Sequence, residues 1–139
     1  MIRLSLILIV SLALTILTSF NSGHKSPLRD KVPGRYYKYF TSGIDGGTDY
    51  YLTIKKDSYI EIEKTNMLGK KSKMKIIGHW PIKGDTIYLV PTKVITSKKT
   101  FDCTDKKIDG GLICKTDTLV YKDNALWSIR PSYKEYTRR

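Results

Sequence analysis

Apolar and polar residues alternate with a period of two from residue 34 onward, and turn residues interrupt the alternation about every 8–12 positions. One face of the clearest segment carries Met74, Ile76, Gly78, Trp80 and Ile82. The other face carries Lys73, Lys75, Ile77 and His79. Nowhere does a helical period persist for three turns. The pattern therefore predicts an all-β domain.

Short polar segments divide this pattern into strands. Strands are predicted at residues 50–55, 59–63, 73–82, 86–90 and 125–129, with weaker candidates at 93–96, 100–103 and 112–121. Pro91 is expected to end the strand at 86–90, because proline cannot donate to a sheet ladder. In the strand at 59–63, alternation is expected to direct Glu61 and Glu63 outward, beside Tyr59.

About eight strands with one apolar face each must bury those faces together. A small antiparallel up-and-down barrel and a two-sheet β-sandwich are the two economical solutions. Closure of a barrel removes exposed sheet edges, which otherwise promote aggregation. We therefore expect the barrel, with the sandwich as the alternative.

The first 22 residues predict an export signal. Arg3 supplies the positive start, and an uncharged run follows at residues 4–17. This run is shorter than the roughly 20 apolar residues of a spanning helix, so cleavage near residues 22–23 is expected. A membrane anchor formed by an uncleaved segment is the alternative. We expect a periplasmic or secreted protein with a signal peptide at 1–22, a flexible lead-in at 23–33, the barrel at 34–130 and a basic tail at 131–139.

The two cysteines, Cys103 and Cys114, are expected to form a disulfide. An even cysteine count in a small exported domain usually has this meaning. The intervening residues include Asp109-Gly110-Gly111, which could turn a hairpin and bring the sulfurs together. A pair of metal or redox thiols is disfavoured, because the spacing fits no compact ligand motif and no histidine lies nearby. We expect no metal site and no cofactor.

Three segments carry a family resemblance: Gly34-Arg35-Tyr36, residues 51–59 (YLTIKKDSY) and residues 78–87 (GHWPIKGDTI). The second resembles the hairpin L-x-[LIF]-x-x-D-G-x-[YF], and the third resembles G-x-W-x-[IV]-x-G-[DN]-x-[LI]. Both hairpins are typical of small lipocalin-like bacterial envelope proteins, including the barrel of the copper-resistance lipoprotein type. The resemblance implies a barrel. It transfers no site residue, because Tyr36 replaces the lipocalin Trp and the Cys-x-x-Cys pair and lipidation cysteine are missing.

The formal net charge is +12, from 25 Lys and Arg against 13 Asp and Glu. Such a charge attracts anionic partners, including phospholipid headgroups and acidic proteins, so peripheral membrane contact is one expectation. Successive turns of an up-and-down barrel alternate ends. Lys56 and Lys83 are therefore expected at one end and Lys70-Lys71 at the other. Nucleic-acid binding is not expected of an exported protein.

No set of catalytic groups is expected. His79 is the one plausible base after the lead-in, and it is predicted on an outward strand face. We therefore expect a non-catalytic binding protein for a small apolar or amphipathic ligand. Trp80, Trp127 and Tyr50 are its candidates for ligand contact or core packing. The alternative is an envelope protein-interaction or inhibitor module whose basic surface binds an acidic partner.

Overall fold

The structure, a computed structural model, describes residues 26–41, 43–104, 114–129 and 135–139. One short helix and ten strands form within these residues. Their bounds are α1 (Leu28–Lys31), β1 (Gly34–Thr41), β2 (Gly46–Ile54), β3 (Tyr59–Met67), β4 (Lys70–His79), β5 (Ile82–Lys83), β6 (Thr86–Thr96), β7 (Thr100–Asp102), β8 (Asp117–Lys122), β9 (Ala125–Ser128) and β10 (Glu135–Arg138).

Eight of these strands close into an antiparallel barrel. Around the ring the order is β1, β2, β3, β4, β6, β8, β9 and β10, and pairing of β10 with β1 completes the circle. The short strands β5 and β7 pair with β6 beside this ring. The predicted all-β barrel is confirmed, and the two-sheet sandwich is not formed.

Apolar side chains fill the half of the barrel next to α1, which we call the helix end. Its fully buried side chains include Val32, Tyr36, Leu52, Trp80, Ile87 and Leu119. The Tyr36 hydroxyl donates a hydrogen bond to the Val32 carbonyl, directly after α1. Arg138 donates to the carbonyls of Lys31 (3.1 Å) and Pro33 (2.8 Å). These contacts hold the segment that contains α1 against the end of the barrel.

Among the described residues, the β1–β2, β3–β4 and β6–β7 turns lie at the opposite end, which we call the distal end. The β3–β4 connection is a two-residue turn, since Met67 pairs with Lys70. Thr96 precedes the β6–β7 turn, and it pairs with Met74 of β4. Lys70-Lys71 and Lys98-Lys99 therefore lie at the same end. The β2–β3 turn, with Lys56, lies at the helix end.

One strand continues where the sequence predicts a break. Pro91 was expected to end its strand, but β6 runs through it to Thr96. The register shifts at this point, where Pro91 pairs with Gly78. A bulge tolerates a residue that cannot donate a ladder hydrogen bond, and this explains the difference. A second difference lies at the C-terminus, where β10 forms within the segment expected as a basic tail.

The strand β3 faces the opposite way from the expectation. Tyr59 and Glu61 are buried, whereas Ile60 and Ile62 are partly exposed on the outer face. The outward orientation expected of Glu61 and Glu63 is therefore wrong. The reason is the register with β2, which pairs Glu61 with the core residue Leu52. Cross-strand partners share a face of the sheet, so Glu61 must point inward.

The expected disulfide forms between Cys103 and Cys114, with a Cα–Cα distance of 5.4 Å. It joins the end of β7 to the segment before β8. A disulfide is typical of proteins in an oxidising compartment, as expected for an exported chain. The predicted signal at 1–22 and the turn at 109–111 lie outside the described residues. No helix among the described ranges has the length and apolar character needed to cross a membrane.

Candidate functional site

Charged and hydroxyl-bearing side chains occupy the barrel interior between the apolar core and the distal end. Lys38 is 8% exposed and Glu61 is 4% exposed. An ionised side chain is expensive to bury unless hydrogen bonds and other charges compensate it. Apolar residues at these positions would suffice for a barrel core. The burial of these two charges is therefore the unusual feature of this interior.

Strand alternation places each of these side chains. Along β1, Tyr36, Lys38 and Phe40 point to the same side, and the first two are buried. Lys38 pairs with Tyr50 of β2. Tyr50 in turn pairs with Glu63 of β3, so these three residues form one inward-facing row.

The Lys38 ammonium lies among aromatic rings. Its Nζ is 4.6 Å from the ring centroid of Tyr50, 5.8 Å from that of Tyr136 and 5.9 Å from that of Phe40. Each separation is within the range of a cation–π interaction, which strengthens when water is excluded. The three rings thus stabilise a cation inside the barrel.

Tyr136 connects this cation to the buried carboxylate. Its hydroxyl donates a hydrogen bond of 2.6 Å to Glu61 Oε2. Burial raises the pKa of Tyr136 well above its usual value, and the nearby charges of Glu61, Asp117 and Glu63 raise it further. The phenol therefore stays neutral and acts as a hydrogen-bond donor.

The pKa of Tyr59 is affected by two of the same carboxylates. Burial raises its pKa, and the charges of Glu61 and Asp117 add to the effect. Asp117 lies at the start of β8, where its Oδ1 accepts a hydrogen bond of 3.2 Å from the backbone N–H of Thr118. Three carboxylates, from β3 and β8, thus lie close enough to the buried Tyr136 to influence it. We call Lys38, Glu61, Glu63, Asp117 and Tyr136 the interior polar cluster.

The three aromatic candidates from the sequence lie in different places. Trp80 is buried at the helix end, where its Nε1 donates to the Lys55 carbonyl at 2.8 Å. Trp127 is exposed, and its Nε1 donates to the Lys122 carbonyl. Tyr50 lies beside Lys38 in the interior. His79 is exposed, as predicted.

The outer wall carries its own aromatic contacts. Tyr37 and Tyr51 lie with ring centroids 5.3 Å apart. The Arg139 guanidinium lies 3.9 Å from the Tyr37 centroid, and Lys64 Nζ lies 5.0 Å from the Tyr51 centroid. A hydrogen bond to Asp49 raises the pKa of Tyr37. Side chains of the protein itself already occupy the positions over these rings. We therefore do not assign a ligand to the outer wall.

Sequence reasoning missed Lys38, Glu61 and Tyr136 as members of one site. A local signal existed for Lys38, because a charged residue stands between Tyr36 and Phe40 on the inward phase of β1. No local signal existed for Tyr136, which comes from the segment expected as a tail.

Among the described residues, no three His, Cys, Asp or Glu side chains converge on a point that could hold a metal ion. Comparisons with known proteins found no family model, no curated protein and no solved structure that matches the chain. The closed eight-stranded antiparallel barrel is consistent with a lipocalin-like fold.

Proposed function

We propose that the protein is an exported, non-catalytic binding protein that holds a small amphipathic ligand in the distal half of its barrel. The observation that carries this proposal is the burial of Lys38 and Glu61 inside the barrel. Small eight-stranded barrels either fill their interior with side chains or hold one small ligand there. Buried charges that the core does not need are typical of the second case.

The ligand's polar group would contact the interior polar cluster. Glu61, Glu63 and Asp117 outnumber the Lys38 ammonium among the described side chains of this region. An amine or a hydroxyl-rich head group is therefore favoured over a carboxylate, because it donates hydrogen bonds to these oxygens.

The ligand's apolar part would lie toward the distal end. Phe40 is on the inward phase of β1 near this end and is partly exposed. Met74, on the inward phase of β4, is partly buried and pairs with Glu63. These side chains offer apolar contact next to the polar cluster. At the helix end, large side chains fill the interior, because Trp80 and Tyr36 are fully buried there.

A purely structural role for the buried charges makes a different prediction. Buried ionic groups can fix a unique packing without binding anything. In that case, removal of the charges would alter the stability of the fold, and no amphipathic molecule would raise the melting temperature of any variant. Ligand response and stability must therefore be measured in the same variants.

The test is a thermal-shift series with dodecylamine, dodecanol and dodecanoate, each below its micelle concentration. We expect dodecylamine to raise the melting temperature most, because mass action stabilises the state that binds. The variant Glu61→Gln/Glu63→Gln removes two of the three carboxylates at nearly constant volume and keeps Lys38, and we expect it to fold and to lose the response to dodecylamine. Lys93→Met, on the exposed outer phase of β6, is the control and should respond like the wild type. No response from any probe, or equal responses in all three proteins, would overturn the proposal.

A further inference from the structure

The distal end exposes large apolar side chains at the tips of two hairpins. Ile44, in the β1–β2 turn, is 104% exposed, and Leu68, in the β3–β4 turn, is 76% exposed. Met67 and Phe40, close to the same turns, are also exposed. Apolar side chains gathered at protruding turns mark interaction sites more often than scattered ones do. We call Ile44, Met67 and Leu68 the apolar tip.

The two hairpin turns are joined to each other. The backbone N–H of Leu68 donates a hydrogen bond of 2.9 Å to the carbonyl of Asp45. Gly46, which begins β2, pairs with Met67, which ends β3. The apolar tip is therefore one connected structure that presents its side chains together.

The backbone at Leu68 adopts a conformation that disfavours leucine. Leu68 has φ 52° and Gly69 has φ 76°, as a two-residue turn of type I′ requires. The corresponding β8–β9 turn uses Asp123 (φ 52°) and Asn124 (φ 60°), which tolerate this region well. Turn stability therefore favours Asn or Asp at position 68. A bulky apolar residue in a strained, exposed position is best explained by an interaction that uses its side chain.

Lysine pairs flank the apolar tip. Lys70 and Lys71 follow the β3–β4 turn directly, and Lys98 and Lys99 form the β6–β7 turn at the same end. All four are exposed, and Asp45 is the acidic residue of the neighbouring β1–β2 turn. Positive charges beside exposed apolar side chains complement an anionic lipid surface, where lysines meet headgroups and apolar groups enter the interface.

We propose that the apolar tip and its flanking lysines dock the distal end of the barrel onto a bilayer that contains anionic phospholipid. A second copy of the chain is disfavoured as the occupant, because the lysine pairs of two copies would repel each other. A stable protein interface also needs about 800 Å² from each partner, which three side chains on two turns do not supply.

Docking of this kind is independent of the proposed ligand site. It uses exposed turn residues, whereas the ligand site uses the buried Lys38 and Glu61. Either one can fail without the other. If both hold, the barrel would present its distal half to the surface from which amphipathic molecules come.

The test is flotation of the exported protein with phosphatidylcholine vesicles, with and without phosphatidylglycerol, at low and high salt. We expect binding to the anionic vesicles that weakens as salt rises. Any retained N-terminal apolar segment would be common to all variants, so differences between variants isolate the distal end.

Leu68→Asn separates a binding role from a structural one. Asn relieves the left-handed strain, so we expect the melting temperature to rise by about 2–5 °C. Loss of the apolar side chain should lower vesicle partitioning by about tenfold. A variant that is more stable and still partitions like the wild type would overturn the proposal.

Two dibasic pairs provide a matched charge control. Lys70→Gln/Lys71→Gln, at the distal end, should lower partitioning by roughly 25-fold, since each lysine near an anionic surface contributes about fivefold. Lys55→Gln/Lys56→Gln removes the same charge at the helix end and should change it by less than about twofold. Equal losses of partitioning in the two variants would mean that net charge alone drives binding. That result would contradict docking by the distal end.

Sedimentation velocity without vesicles completes the test. We expect a monomer for the wild type and for Leu68→Asn. A wild-type dimer that Leu68→Asn dissociates would assign the apolar tip to a second copy. Failure to float with either vesicle would leave an acidic protein as the occupant, and both outcomes overturn the proposal.

Discussion

Tyr136 and Glu61, 75 positions apart in the sequence, share a hydrogen bond of 2.6 Å inside the barrel. Tyr136 lies on β10 and Glu61 on β3, and the strands β1 and β2 separate them in the ring. The bond therefore crosses the barrel interior. It links the C-terminal strand to the buried carboxylate across two intervening strands.

Tyr136→Phe should destabilise the fold by about 1–3 kcal/mol. The substitution keeps the ring and removes the donor, which leaves a buried carboxylate without this partner. Urea unfolding measures the change in the free energy of unfolding. The control is Tyr37→Phe, which removes a hydroxyl that donates to Asp49 on the outer wall, and its loss should be below about 1 kcal/mol. Equal losses in the two variants would contradict a special role for the interior bond.

Alkaline pH should destabilise the protein before the buried tyrosines of the folded state ionise. Burial raises the pKa of Tyr36 from 10.0 to about 12, and it raises the pKa values of Tyr59 and Tyr136 as well. Above about pH 10 the unfolded chain loses these protons while the folded chain keeps them, so the free energy of unfolding falls as pH rises. Below about pH 10 both states are protonated and this contribution is constant.

The slope of this alkaline loss can be measured. Each buried tyrosine contributes at most about 1.4 kcal/mol per pH unit, so the slope of the three together is about 2 kcal/mol per unit at pH 10 and approaches about 4 kcal/mol per unit by about pH 11. Urea unfolding at several values between about pH 8 and pH 11 measures the slope. Tyr36→Phe should reduce it by about a third. A free energy of unfolding that stays level through this range would contradict the burial of these phenols.

Gly78→Ala should destabilise the fold by about 3 kcal/mol through overpacking. A Cβ at Gly78 would lie 2.1 Å from the Val90 carbonyl oxygen and 2.6 Å from Tyr59 Cε1. Gly84→Ala is the control, because nothing lies within 4 Å of its Cβ position and its φ of +65° adds only conformational strain. That strain should amount to about 1 kcal/mol. Thermal unfolding ranks the two variants, and an equal or reversed ranking would show that Tyr59 does not pack on Gly78.

Removal of the disulfide should destabilise the fold by about 2–3 kcal/mol, as expected for closure of a short loop. Cys103 and Cys114 are 11 positions apart. The variant Cys103→Ser/Cys114→Ser, compared with the wild type in oxidised and reduced form, gives the value by urea unfolding. Reduced wild type should match the variant. A wild type that is indifferent to reductant would mean that the bond does not form in solution.

The fold was largely predictable from local pattern, and the reasons are visible in single segments. In β4 one face is apolar and includes Gly78, and Trp80 continues this face beyond the strand. Lysines occupy the opposite face. The pattern of residues therefore predicts which side of β4 faces the core. The prediction that Pro91 ends its strand was wrong, because a bulge opposite Gly78 lets the strand continue through the proline. Only the pairing of β4 with β6 creates this bulge.

The candidate site was not predictable in the same way. Ile60 and Ile62 are more apolar than Glu61, so local hydropathy places the glutamate outside. The pairing of Glu61 with Leu52 and the donor supplied by Tyr136 reverse that preference. Both partners are distant in sequence, and β10 carries little local signal of its own. The polar interior is therefore a property of the closed barrel.

Intact mass under native and then denaturing conditions tests most directly whether the interior polar cluster holds a ligand. The measurement uses the protein exported by a bacterial host, with the Glu61→Gln/Glu63→Gln variant alongside. We expect the wild type to carry the added mass of one small amphipathic molecule that disappears on denaturation, and the variant to carry none. A wild-type protein that is a bare monomer under native conditions, or a variant that retains the same added mass, would contradict the account.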